Sequence, residues 1–259
     1  MLLYLLLSTF PEWQPHFAFL DTARANEMMA LRWLHLVFGI IWIGLLYFFN
    51  LVLTPALKRC DPQLRIKIYP ELMPEAMAWF RASSFVTVLV GLRHFSIHLS
   101  VDARLAGDRS LIGKWFGWWL LVWLVAYVFI YALQLPAKGI LNSLWVRVIG
   151  VSAVVITASW LVLALNGGPT VSNAHLAISV GGGLGLVMLL NTWGVIWRIQ
   201  KRLIAWTRAA AQGTPMPPEA ERLMRWNYLT ARTSFWLSFP MLFFMGAASH
   251  YPFLSTVAR

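Results

Sequence analysis

The chain has 259 residues, of which 59% are hydrophobic and only 12% charged, with 15 Trp and a mean hydropathy of +0.65. Soluble domains carry about 25% charged residues, so this composition excludes an ordinary soluble domain and points to a polytopic membrane protein. A formal net charge of +11 would suggest nucleic acid in a soluble protein. Here the basic residues sit in short segments beside apolar runs, where membrane topology accounts for them and no nucleic-acid partner is expected.

Residues 1–27 open with MLLYLLLSTF, which is too short to span and runs into Pro11 and Pro15. It lacks a basic n-region, so an interfacial segment is expected there rather than a signal peptide. Six windows follow, at about 28–53, 77–99, 114–136, 143–166, 174–198 and 229–251. Each is long and apolar enough to cross a hydrocarbon core of about 30 Å, which takes roughly 20 helical residues. Closed helices then satisfy every backbone group without water.

In the first window Arg32, His35, Gly39 and Trp42 lie on one helical face. Cys60, the single cysteine, follows in a loop and belongs to no CxxC or CxxCH arrangement. Disulfides, a zinc site and covalent c-type haem are therefore disfavoured. Glu71 and Glu75, in PELMPEAMAWF, are expected on the loop before the second helix, capping it. The second window puts Gly91, His94 and His98 on one face, with Arg93 beside His94. Trp118, Trp119 and Trp123 in the third, and Trp193 and Trp197 in the fifth, read as interfacial belt and packing. His175 opens the fifth window on the face of Gly182, inside GGGLG, where small residues also serve close helix packing. Residues 209–223, AAAQGTPMPPEAERL, form the one linker-like stretch. Gly246 and His250 repeat the i, i+4 spacing in the last window, and 252–259 make a short tail. The chain thus reads as one all-α membrane domain over 1–259, with its six-helix bundle at 28–251.

Fourteen of the 21 Lys and Arg fall on one face of six alternating helices. The positive-inside rule makes that face cytoplasmic, so both termini are expected on the periplasmic side of a bacterial inner membrane. His35, His94, His98, His175 and His250 then all fall at the outer face. Ionisable groups at membrane depth mark ligands or proton paths. Imidazoles without carboxylates in the outer halves of the windows suit haem iron better than a hard cation. One or two b-type haems are expected, with Gly39 and Gly246 leaving room for a porphyrin edge and Arg32 and Arg93 able to meet propionates. His94 and His98 are one turn apart, so they cannot be the two trans ligands of one iron. Either two haems lie side by side or one of that pair has another role. His35 is expected as a ligand, with His250 or His175 opposite it rather than His98.

LRWLHLVFGIIWIGLLYFFN, AWFRASSFVTVLVG, VMLLNTWGVIWRIQ and ARTSFWLSFPMLFFMGAASHYP resemble the integral-membrane domain of bacterial membrane-bound urate oxidases. The likeness covers about half the chain, and its best motifs are the first-helix His with WIG and the terminal His-Tyr-Pro. It implies family histidines at His35 and His250, and urate oxidation at the periplasmic side coupled to the respiratory chain. The sequence departs from the family at Ser179 and Thr233, where the family has histidines, in the first-loop His-Gly-Gly-Gly motif, and in the missing cytochrome c module.

The expectation is therefore a b-haem membrane subunit of a larger respiratory or oxidoreductase complex. It would pass electrons at the periplasmic face to or from partner redox subunits such as a cytochrome c. One alternative is a urate oxidase using an external cytochrome c. The other is a non-redox structural subunit.

Overall fold

The computed structural model describes residues 22–135 and 143–255, and over these the chain is all-α. Six helices follow one another among the described residues: α1 (Ala23–Arg59), α2 (Pro62–Leu105), α3 (Leu111–Gln134), α4 (Leu144–Asn166), α5 (Asn173–Ala210) and α6 (Ala220–His250). The first five are long and apolar enough to cross a membrane. The sixth has the length, 31 residues, but carries Arg222, Arg225 and Arg232 along its first half. Of the interfacial segment expected over 1–27, positions 1–21 lie outside the described residues, and Ala23 onward is already the first turn of α1.

Most of the helices start before or end beyond the expected windows, most of all α2, whereas α4 matches its window to within a residue. That helix begins at Pro62, so Glu71 and Glu75 lie inside it and cap nothing, contrary to expectation. The cap is Asp61, whose Oδ1 accepts from the Gln63 and Leu64 amides at 2.8 and 3.2 Å, with Pro62 in the first turn where its missing N–H costs nothing. Pro70 and Pro74 both sit inside α2. Pro74 has no N–H to offer the Pro70 carbonyl four residues back, and the Arg208 guanidinium reaches that oxygen instead at 3.4 Å. The extension is held against the end of α5. Val195, Ile199, Leu203 and Leu223 form a second buried cluster with Tyr69 packed on it, and the Tyr69 hydroxyl donates to Gln200 at 2.5 Å.

α1 lies along α2, α3 beside α4, and α6 along α5, while α5 also touches α2, α3 and α4. α5 is the central helix, with 78% of its most apolar window buried. Its sequence suits that place, since Asn173–Leu190 carries no charged Asp, Glu, Lys or Arg and includes four Gly and two Ala. The glycines of GGGLG serve packing. A side chain begun at Gly183 would lie 1.9 Å from the Trp123 indole, and one at Gly181 would meet Met245 at 2.9 Å. Trp119 and Trp123 are buried and both donate to the Ser179 carbonyl, at 2.8 and 3.0 Å, whereas Trp118 faces outward. α2 stops at a turn in which Gly107 takes φ +74, the left-handed position that glycine adopts freely at a helix end. There the Asp108 carboxyl is held below its usual range by hydrogen bonds from Ser110.

A candidate cofactor site at the histidine end

Antiparallel packing sorts the histidines to one end of the bundle. Arg93 on α2 pairs with Glu27 on α1 at 2.6 Å, so the start of α1 lies beside the end of α2. The start of α5 joins the same end, because Asp102 bonds Ser172 and His175. The end of α6 does so too, because the Asn173 side-chain Nδ2 donates to the Ala247 and Ala248 carbonyls at 3.1 and 3.3 Å. His35, His94, His98, His175 and His250 are all there. The sixth histidine, His16, lies outside the described residues.

α2 supplies the floor. Thr87, Gly91, His94, His98 and Asp102 fall at i, i+4, i+7, i+11 and i+15, one stripe along the helix. At its inner end His35 of α1 is seated on Gly91. A side chain begun at Gly91 would come within 2.9 Å of the His35 Cε1 and 3.2 Å of its Nδ1. The His35 Nδ1 donates to the Thr87 carbonyl at 2.9 Å. A carbonyl can only accept, so in the neutral ring Nδ1 carries the proton and Nε2 the free lone pair. In mid-stripe the Nε2 atoms of His94 and His98 stand 3.3 Å apart. Arg32, exposed, is within electrostatic reach of both rings.

At the outer end Asp102 is buried and its Oδ2 accepts from the Ser172 amide and hydroxyl, each at 2.9 Å, and from the His175 Nδ1 at 3.1 Å. His175 is fully buried, between the rings of Trp115 and Phe95 at 4.9 and 5.7 Å, both edge-on at 74°. Its Nε2 has no hydrogen-bond partner. With Nδ1 protonated towards the carboxylate, that Nε2 also holds a lone pair. Metal-bound imidazoles are generally oriented in this way, by a hydrogen bond from the second ring nitrogen to a carboxylate or carbonyl. Both His35 and His175 have that preparation, each with one lone pair to offer a ligand. Among the described residues no three His, Cys, Asp or Glu gather around a common metal position.

The remaining candidates are placed otherwise. Gly39 packs on α2, where a side chain would meet Thr87 at 3.8 Å, and Gly91 admits a histidine ring. Gly246 is exposed with no atom within 4 Å of where a side chain would begin, and His250, the last residue of α6, is exposed as well. Arg93 is turned to Glu27 and Ser96. It helps line a surface hollow of about 340 Å³ together with Arg24, Glu27, Ser100 and Arg104. Asp102, Thr87 and Ser172, which position the imidazoles, were not singled out from the sequence, although Asp102 continues the His94–His98 spacing by one more turn. Compared with known proteins, the chain matches no family model, no curated protein and no solved structure.

Proposed function

We propose that the chain is a six-span b-type haem protein of a bacterial inner membrane, with both termini periplasmic. It passes electrons at its histidine end as a subunit of a larger respiratory or oxidoreductase complex. The observation that carries this reading is the pair of pre-oriented imidazoles, above all the buried, unpartnered Nε2 of His175. A buried polar atom left without a partner costs about 1–3 kcal/mol, and a bound ligand removes that cost. His35 and His175 would each offer one nitrogen to a haem rather than share one iron, because Thr87 and Asp102, which hold the two rings, are fifteen residues or about 22 Å apart along α2. When bound, haem supplies a one-electron couple whose potential follows its axial ligands, their hydrogen bonds and the burial of the site. The protein's own part is to fix the two rings through the Thr87 carbonyl and the Asp102 carboxylate. Trp115 and Phe95 keep water from His175, and Arg32 places positive charge at the rim.

A reduced-minus-oxidised spectrum of the purified protein should show a b-type band that falls in His35→Ala and in His175→Ala while membrane insertion is unchanged. The reading is wrong if the wild type lacks the band or if both variants keep it in full.

One observation favours a second reading, the oxidation of urate with an external cytochrome c. That chemistry needs a polar pocket for an anionic purine, and the hollow of about 340 Å³ beside Arg93 is lined by three arginines against one glutamate. Membranes carrying the protein should then consume oxygen on addition of urate, and membranes of a deletion strain should not.

A further inference from the structure

The His94–His98 pair lies between His35 and His175 on the α2 stripe but orients neither ring, and its geometry is that of a chelate. The two Nε2 atoms are 3.3 Å apart, a long hydrogen bond between the rings that a shared cation would replace. Zinc takes imidazole nitrogen at about 2.0–2.1 Å in tetrahedral geometry, which sets two ligand nitrogens about 3.3 Å apart. A square-planar ion with bonds of about 2.0 Å would need them closer, at about 2.8 Å. The ring centroids give an independent check. Two imidazoles meeting head-on through a hydrogen bond of this length would have centroids about 5.6 Å apart, whereas two aimed at a common tetrahedral ion would have them at about 5.2 Å. The observed separation is 5.0 Å, with the planes inclined at 42°. Both side chains are half-buried, so an ion has a path in and solvent can complete its coordination. Asp102, one turn beyond His98 on the same stripe, offsets the positive charge of Arg32 on the His98 ring.

We propose that His94 and His98 form a two-imidazole binding site for a tetrahedral divalent cation of the zinc type, completed by water. A pair of histidines at i, i+4 on one helix needs no partner helix to converge, and the site stands apart from the haem reading. If that reading fails, the zinc site is unaffected.

The test uses the full-length, tag-free protein in detergent, washed with chelator and titrated with zinc alone by calorimetry, with bound metal counted after desalting. One zinc per chain is expected. His94→Ala and His98→Ala should each weaken binding by more than about tenfold, since losing even a group that only supports a ligand costs 10–100-fold. His250→Ala should bind as the wild type does. Co²⁺ in the same site should give the intense visible absorption of a tetrahedral centre. If a histidine-to-alanine variant fails to fold, His98→Cys, which keeps a zinc ligand at that position, replaces it and should retain one zinc. The proposal is overturned if the wild type takes up no zinc, if neither alanine variant weakens binding, if His98→Cys loses it, or if Co²⁺ gives only the weak spectrum of an octahedral ion.

Discussion

Replacing Asp102 by Ala removes the acceptor shared by the Ser172 amide, the Ser172 hydroxyl and the His175 Nδ1. Asp102 and both partner residues are 0–1% exposed, so water does not take its place. Three stranded donors at about 1 kcal/mol each give a loss of about 3 kcal/mol. Measured hydrogen bonds between membrane helices average nearer 0.6 kcal/mol, which sets a lower bound of about 2 kcal/mol. For a chain of this size each kcal/mol moves Tm by roughly 2–4 °C, so the expected drop is roughly 4–12 °C. Thermal unfolding in detergent, followed by tryptophan fluorescence, suits the measurement because Trp115 packs on His175. Asp102→Asn keeps the shape and one acceptor oxygen and should lose less than half as much. A folded Asp102→Ala protein with Tm within about 2 °C of wild type would refute the assignment of Asp102 as the anchor of α5 and of His175.

Three glycines with similar helical settings should behave in sharply different ways. Gly183→Ala forces a methyl to 1.9 Å from the Trp123 indole, which is locked by its bond to Ser179. It should cost more than about 3 kcal/mol and show as lost folded yield on size exclusion. Gly91→Ala meets the His35 ring at 2.9 Å and should expel it from the Thr87 carbonyl. A drop in the b-type band with Tm lowered by only a few degrees is expected, and an unchanged band counts against His35 as a ligand. Gly246→Ala meets nothing within 4 Å and should leave Tm unchanged or raise it slightly, because alanine is favoured over glycine in helices by about 0.5–1 kcal/mol. Arg93→Ala breaks an ion pair with Glu27 whose side chains are 55% and 38% exposed. Its effect on Tm should be small, in keeping with the 0–1 kcal/mol typical of such pairs.

The long apolar runs made the all-α character and the order of the helices readable, because lipid admits little else. The helix ends were not readable in the same way. A window of apolar residues marks where lipid must be, whereas α2 continues through KIYPELMPEAM on the strength of Asp61, of Arg208 reaching the Pro70 carbonyl, and of the Tyr69–Gln200 bond. All three depend on residues far apart in the chain or on capping geometry. At the candidate site, the gathering of histidines at one end follows from alternation of direction. Which glycine faces what does not follow. Gly91 makes room for His35 and Gly183 for Trp123, and each is a fact about a neighbouring helix. Asp102 was legible in principle, since 94, 98 and 102 repeat at i+4, but a lone carboxylate near a predicted helix end reads as an ordinary surface charge until the start of α5 is seen against it.

The single carboxylate at the end of the stripe explains why the parts of this site come as a set. Ideal helical geometry advances about 100° per residue, so Thr87, Gly91, His94, His98 and Asp102 stay within about 80° of one another around α2. One face of one helix therefore meets α1 through His35 and α5 through His175. Asp102 sits where α5 begins and accepts the Ser172 amide, one of the orphan donors of that helix start. The positive end of the α5 dipole favours negative charge at that point. The same oxygen accepts a hydrogen bond from the His175 Nδ1, so the group that fixes the register of the central helix also sets which nitrogen of His175 is left free. A residue without an acceptor at position 102 could pack there, but it could do neither. Stability of the α2–α5 contact and the state of the His175 ring are thus tied to one atom, which is why the Tm of Asp102→Ala and the spectrum of His175→Ala are two views of the same arrangement.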